Sequence, residues 1–345
     1  MDNKAAGVVA GLTVLLGVAV LALGIGAGCE LLPGGSSGER VRIVLELDRT
    51  QLPDTELSSS VDRTIQILQK RMREFGVRKA NVVREGENRI VVEVPVRQGA
   101  RPERIAQLIG QTARLEFRLV KQAVESRQVI EQLDSTLAAR LPNLPDSVRA
   151  GCEGGANPLI DLLFDYPELS PSGGAMILEE AYPAALKLFS SIHVDSLLPS
   201  DTSIGFSTRP DIVGQGHPGR ILYVMNRLPE ITGEAISNAV MKLGLDGRRP
   251  GVPGVSVTMN PKGANLFRKA TGANIGRNLA IVLDDRVLSA PVIRDRIPGG
   301  QAMITGAFSA EEASDLAVCL RAGAFPAPLR VIEAVPVRKA TRGAR

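Results

Sequence analysis

The 345-residue sequence has no tryptophan, only 3% aromatic residues, two histidines and three cysteines. Each scarcity excludes something. With so few aromatic side chains there is no platform on which nucleic-acid bases or sugar rings would stack. His193 and His217 stand apart, and Cys29, Cys152 and Cys319 show no C-x-x-C or Cys/His ligand spacing, which excludes a structural zinc site. A disulfide between Cys152 and Cys319 has only their number to recommend it. An excess of one charge is lacking as well. The net charge is +4 with basic residues scattered among acidic ones, so nucleic acid is not an expected partner. What remains is ordinary: 44% hydrophobic and 23% charged residues, in a chain long enough for two or three domains.

Charge is missing altogether from Ala5 to Gly28, "AAGVVAGLTVLLGVAVLALGIGAG". A bilayer-spanning helix needs about 20 mostly apolar residues, whereas a signal-peptide core needs about 7–15. The length predicts one N-terminal transmembrane helix over residues 1–28. The competing reading is a lipoprotein signal with Cys29 as the lipidation site, since "GAGC" puts small residues before it. A larger aliphatic residue is usual three positions before such a cysteine, and Gly26 stands there. Either reading tethers the chain to a membrane. Lys4 lies on one side of the segment and Arg40 and Arg42 on the other, so charge does not fix its orientation.

After a linker at 29–39, "VRIVLELD" reads as a strand. "SSSVDRTIQILQKRMREFG" places Val61, Ile65, Leu68, Met72 and Phe75 on one helical face, with serine at the start and Gly76 at the stop. This leaves Lys70, Arg71 and Arg73 as a solvated face. "ANVVRE" and "RIVVEVPV" flank a tight "GEN" turn, "RPERIAQLIG" forms a second helix, and "ARLEFRLV" supplies another strand. The order β-α-β-β-α-β is that of the ferredoxin-like split βαβ unit. The fold class expected is α+β.

Further along, Lys121 to about Arg140 reads as a polar helix, and "GEAISNAVMKLG" as a short one capped by Thr232. "GQGHPG" matches G-x-G-x-x-G at Gly214, Gly216 and Gly219. A strand-like stretch follows it where a dinucleotide site needs a helix, so it is read as a turn. "VSVTMN" is a strand, and Asn260 with Pro261 opens the helix "PKGANLFRKATG". "SAEEASDLAVCLRAG" carries a capping box, Ser309 with Glu312, and a stop at Gly323; Cys319 is read as a packing residue of this helix.

One stretch invites a catalytic reading. "AIVLDDRVLSAPVIRD" brings Asp284, Asp285 and Asp295 close to Ser289. A catalytic carboxylate pair needs groups on different elements, one of them in a pocket that raises its pKa. Asp284 and Asp285 are adjacent in what reads as a water-screened hairpin turn. No histidine and no serine-hydrolase signature accompanies Ser289. The expectation is a turn, with no catalytic, cofactor-binding or metal-binding residues, and no enzyme.

Several stretches together resemble the SecD family, accessory membrane subunits of the Sec protein-export machinery. They are "VTMNPKGANLFRKATGANIGRNLAIVLDDRVLSAPVIRDRIPGGQAMITGAFSAEEASDLAVCLRAGAFPAPLRVIE" and "QILQKRMREFGVRKANVVREGENRIVVEVP", supported by "GQTARLEFR" and "LPEITGEAI". The resemblance implies a base with an inserted α+β head subdomain. The base would comprise residues 40–120 and a return segment 309–336. Residues 121–156 would connect to a head at 157–308, and 337–345 would form a basic tail. Val120, Phe308 and Ser309 are then the hinge candidates. The implied partners are an unfolded translocating polypeptide, the Sec translocon, a SecF-type or separate membrane-bundle subunit, and the membrane. The implied location is the inner membrane, single-pass, with most of the chain periplasmic, or a lipoprotein in the alternative. Two departures accompany the resemblance. Glu39 and Arg40 stand where the family has a glycine pair, and no second apolar span follows Val335. The expectation is therefore a SecD-like export protein without its own proton-conducting helix bundle. The rival expectation is a tethered scaffold that keeps the fold and not the export role.

Overall fold

A computed structural model describes residues 40–77, 79–95, 109, 111–152, 156–213, 216–244, 251–306 and 308–337. The expected anchor, Cys29, Gly214, the tail beyond 337 and, apart from Ile109, the expected 101–110 helix lie outside the described residues. No helix among the described residues is long and apolar enough to cross a membrane. The chain divides into two compact units, Met1–Thr112 with Ala324–Arg345, and Ala113–Gly323.

In the first unit, β1 (Arg40–Leu47) lies between β16 (Leu329–Val337), the last strand among the described residues, and β3 (Arg89–Pro95). β3 in turn pairs with β2 (Asn81–Glu85), giving the antiparallel order β16-β1-β3-β2. The β2–β3 turn runs through Gly86, whose φ of 72° suits a residue without Cβ. Helix α1 (Leu57–Glu74) packs over β2 and β3. Val61, Leu68 and Met72 are buried, each burial stabilising by about 1.5–3 kcal/mol before entropy is counted.

Two sequence expectations change here. The buried face of α1 is rotated towards Thr64, Ile67 and Arg71, while Ile65 and Phe75 are only partly buried. Arg71 is fully buried rather than solvated: its guanidinium lies 4.0 Å from the centre of the Phe325 ring. It donates to the Gln111 and Thr112 carbonyls at 2.6 and 3.3 Å. Only Lys70 and Arg73 are exposed. The fourth strand of the sheet is also β16 and not 115–119, because β4 (Leu115–Leu119) is taken up by a sheet of the second unit.

Among the described residues the second unit holds three sheets. The first has the order β10-β4-β13-β14, with β10 at Ile231–Thr232, β13 at Leu279–Leu283 and β14 at Arg286–Ser289. The second runs β11-β12-β15, formed by Ile236–Leu243, Pro253–Met259 and Gln301–Ile304. The third runs β5-β6-β9-β7, formed by Leu163–Leu169, Ala175–Leu178, His217–Asn226 and Thr202–Phe206, with β8 (Asp211–Val213) also paired to β9. The helices are α2 (Ala123–Arg140), α3 (Asp146–Arg149), α4 (Tyr182–Ser191), α5 (Pro261–Ala273) and α6 (Ala310–Ala322). One core gathers Phe117, Val255, Val257, Phe267, Ile281 and Leu316; another gathers Ile130, Leu137, Leu159, Leu188 and Leu222.

The helix ends follow the sequence. Asn260 Oδ1 accepts from Gly263 N at 2.8 Å, and Ser309 and Glu312 form a reciprocal capping box ahead of Gly323, where φ is 99°. Residues 236–243 do not. The expected helix is strand β11, paired with β12 from Ile236↔Met259 to Leu243↔Pro253 and overlaid by α6. Pairing in register with a buried strand outweighs the favourable helix propensity of Ala, Met, Lys and Leu there, which tertiary context readily overrides. Gly216 and Gly219 belong to the β8–β9 hairpin, where Val213 pairs with His217.

Candidate functional site

A cleft of about 560 Å³ opens within the second unit. Its first wall is the end of β4 and the start of α2. Val120 is held there by its N–H to the Asn278 carbonyl at 3.0 Å, and Lys121 by its N–H to the Val224 carbonyl at 2.9 Å. The next residue, Gln122, begins α2, whose first turn is closed by a capping box with Glu125. One turn later, Arg127 reaches across to the second wall and donates from Nε to the Pro167 carbonyl at 3.0 Å. That wall is the end of β5 with Glu168, Leu169, Ser170 and Pro171. The third wall is Ile275–Asn278. Here Arg277 donates to Asn274 Oδ1 at 3.0 Å and to the Val120 carbonyl at 3.2 Å, tying the third wall to the first.

The chemistry of the lining is mixed. Val120, Leu169, Pro171 and Ile275 supply apolar surface, and Ile275 is 57% exposed. Arg127, Arg277 and Glu168 supply charge and hydrogen-bonding capacity. Lys121 contributes little field, because its ammonium sits 2.8 Å from an Asp201 carboxylate oxygen. Hydrogen bonds from Lys121 and from the Thr202 hydroxyl hold the Asp201 carboxyl below its ordinary value. Apolar surface edged by a few hydrogen-bonding groups is what an extended peptide segment requires. A second kind of peptide surface is a free strand edge. Among the described residues β11 pairs on one side only, and its Met241 and Leu243 are 37% and 61% exposed.

The aspartates separate. Asp284 and Asp285 form the β13–β14 turn with φ of 49° and 63°, as a tight hairpin of this type demands. Asp285 is exposed and 2.5 Å from Arg114 Nη2. Asp284 departs from the expectation of a water-screened group. Its carboxylate turns inward and accepts the N–H groups of Ala113 at 3.1 Å and Arg114 at 2.9 Å. Burial raises its pKa above the ordinary carboxylate range, although those two N–H groups and the Arg114 charge pull it down. It anchors the first residues of the second unit, where Ala113 has a φ of 59°. Asp295 and Ser289 do not join it in a constellation. Among the described residues no group of three His, Cys, Asp or Glu side chains is placed to hold a metal ion. Cys152 and Cys319 are both buried free thiols.

The hinge candidates fall inside the second unit. Val120 is buried on the cleft wall, and Ser309 caps α6 just after Phe308. The chain passes between the two units at Thr112–Ala113 and Gly323–Ala324. No sequence pattern announced the cleft, because its three walls come from segments some fifty to a hundred residues apart. Arg127 and Arg277 carried no signal that distinguished them from other scattered cations.

Comparison with known proteins gives the class. Residues 210–327 match the family model described as "SecDF, P1 head subdomain", and residues 61–122 the one described as "Protein translocase subunit SecDF, P1 domain, N-terminal". The chain is 33% identical over 303 residues to the protein translocase subunit SecD of Rhodothermus marinus, covering 81% of this chain and 46% of that protein. It is 34% identical over 305 residues to SecD of Elusimicrobium minutum, covering 88% of this chain and 51% of that protein. The chain thus spans about half the length of these curated relatives. A solved structure of "a membrane component SecDF that enhances protein export" superposes with a TM-score of 0.50 at 31% identity, covering 85% of this chain and 98% of that one. SecDF "in Super-membrane-facing form" gives a TM-score of 0.52 at 28% identity, covering 94% of this chain and 34% of that one. These matches define a protein built around the P1 domain of a protein translocase subunit. The chain belongs to the SecD/SecDF family.

Proposed function

We propose that this chain is an accessory component of Sec-dependent protein export that holds segments of translocating polypeptide on the outer face of the inner membrane. Its role in this reading is binding and release, not catalysis. Family membership supports the export role, and one structural observation supports the contact site. The cleft bounded by Val120–Arg127, Glu168–Pro171 and Ile275–Asn278 combines apolar walls with two arginines. An unfolded chain presents backbone carbonyls and apolar side chains in any sequence, and such a cleft engages both.

The apolar N-terminal segment would tether the chain by a single span, or by a lipid on Cys29, keeping the cleft near the translocon. Base and head would correspond to residues 40–120 with 309–336 and to residues 157–308, with bending at Val120 and Phe308–Ser309. Proton movement across the bilayer falls, in this reading, to membrane helices other than Ala5–Gly28, on a SecF-type or separate bundle subunit.

The test is photocrosslinking in native membranes from probes at Gln122, Glu168 and Ile275 to an arrested secretory chain. Crosslinks that vanish on release of the chain support the reading. Their absence, with the translocon intact and the protein abundant, would overturn it in favour of a tethered scaffold.

A further inference from the structure

Most of the ion pairs of the second unit neutralise its cations locally: Arg114 with Asp285, Arg118 with Glu116, Lys121 with Asp201, Arg209 with Glu312 and Arg220 with Glu179. The surface around α5 differs. Lys262, Arg268, Lys269, Arg294 and Arg296 have no acidic partner within ion-pair distance among the described residues, and Asp295 is the one carboxylate between Arg294 and Arg296 in the chain. On a helix, Lys262, Leu266 and Lys269 fall on one stripe, and Arg268 and Gly272 lie together on one flank. The aliphatic stem of Arg296 crosses that flank: its Cδ is 3.1 Å from where a Cβ on Gly272 would stand. The Ile297 N–H to Thr271 Oγ1 bond at 3.0 Å and the Gly276 N–H to Ile293 carbonyl bond at 2.8 Å keep the 293–297 segment against the end of α5. Lys262, Arg268, Lys269 and Arg296 therefore share one surface, with exposed Arg294 two residues away on the same packed segment. This surface also exposes Leu266 at 44%, where a purely solvated helix face would be polar.

We infer that α5 and the 294–296 segment form a membrane-facing surface that rests against anionic lipid headgroups. Unpaired Lys and Arg among exposed aliphatic residues match an interface that is negatively charged outside and apolar just beneath. An acidic polypeptide would satisfy the cations but leaves Leu266 without a reason to be exposed, so lipid is favoured. Each basic residue close to such a surface shifts the docked-to-undocked ratio about fivefold. A chain already tethered to the same bilayer needs only a weak patch, because tethering makes docking intramolecular. This inference goes beyond the export reading and rests on it only for the tether.

The experiment is hydrogen exchange on the full chain with vesicles of phosphatidylcholine alone or with a third of phosphatidylglycerol, flotation first establishing which vesicles carry the protein. Expected is slower exchange over residues 266–277 in the phosphatidylglycerol vesicles only. The protection should vanish near 1 M salt, where the Debye length is about 3 Å. It should also vanish when Lys262, Arg268, Lys269, Arg294 and Arg296 are all replaced by Gln, with the far-ultraviolet spectrum unchanged; Lys269→Gln alone should reduce it about fivefold. Equal exchange in both vesicles overturns the inference. So does protection that appears on phosphatidylcholine vesicles only after a glutamate-rich peptide is added, which would assign the surface to acidic polypeptide.

Discussion

Asp284 and Asp285 are adjacent in one turn, and the structure predicts that removing them has unequal effects. Asp284→Ala takes the acceptor from two backbone N–H groups, those of Ala113 and Arg114, at 3.1 and 2.9 Å. A hydrogen bond to a charged group contributes about 1.5–3 kcal/mol, and a donor left unpaired in a buried place costs about 1–3 kcal/mol. Against this stands relief of the burial that raises the Asp284 pKa. Since the site is only partly buried, the net cost expected is about 2–3 kcal/mol. Asp285→Ala loses one ion pair with 46% and 74% exposed side chains, which contributes about 1 kcal/mol at most. Asp285→Gly should be near neutral, because glycine is at ease at the φ of 63° found there. Urea unfolding followed by circular dichroism, with amide exchange read at Ala113 and Arg114, measures the difference. The pH dependence has a definite sign. A carboxyl whose folded pKa is raised gives stability that is fully present below the unfolded carboxylate pKa and lost as pH rises through the folded value. Asp284→Asn should abolish that part of the slope. Equal costs for Asp284→Ala and Asp285→Ala would refute the reasoning and return Asp284 to the role of a solvated turn residue.

Three further outcomes follow from the first unit, the capping box and one crowded glycine. Arg71→Met keeps apolar volume but removes the donor to the Gln111 carbonyl and the stacking on Phe325. About 2–3 kcal/mol of local stability should be lost, read as faster exchange at Thr112 and Phe325. Arg71→Lys should be no better, since it buries a charge without the planar fork. Ser309→Ala should cost about 1 kcal/mol by thermal unfolding. Glu312, whose pKa is lowered chiefly by the Ser309 N–H, gives stability that is present above the unfolded carboxylate pKa and lost as pH falls through its folded value; Glu312→Gln should flatten that acid limb. Gly174→Ala would place a Cβ 2.3 Å from Ile221 Cγ2 and 2.8 Å from the Leu222 carbonyl oxygen. It should destabilise the β6–β9 pairing by about 1–3 kcal/mol in the same denaturation assay.

Local features were legible in the sequence where one short stretch contains all that decides them. The Ser309–Glu312 box, the Asn260 cap, the β2–β3 turn and the Asp-Asp hairpin are of this kind. What depends on a distant partner was not. "ARLEFRLV" is a strand by any reading, yet β4 pairs with β13 and β10, and β16 completes the first sheet from the far end of the chain. Residues 236–243 show why propensity misleads: β12 offers a ladder and α6 a cover, and Arg321 donates to the Ala239 carbonyl. Arg71 looked like one cation among several, because nothing local shows that Phe325 will lie beneath it. The cleft was illegible for the same reason, its walls meeting only after three separate segments fold together.

The central claim is that the cleft holds unfolded polypeptide. Hydrogen exchange of the purified chain, titrated with an unfolded secretory segment, tests it most directly. The account predicts slower exchange confined to residues 120–127, 168–171 and 275–278, with α1 unchanged as an internal control. Binding that leaves those three segments unprotected, or no binding at any segment concentration, would contradict it.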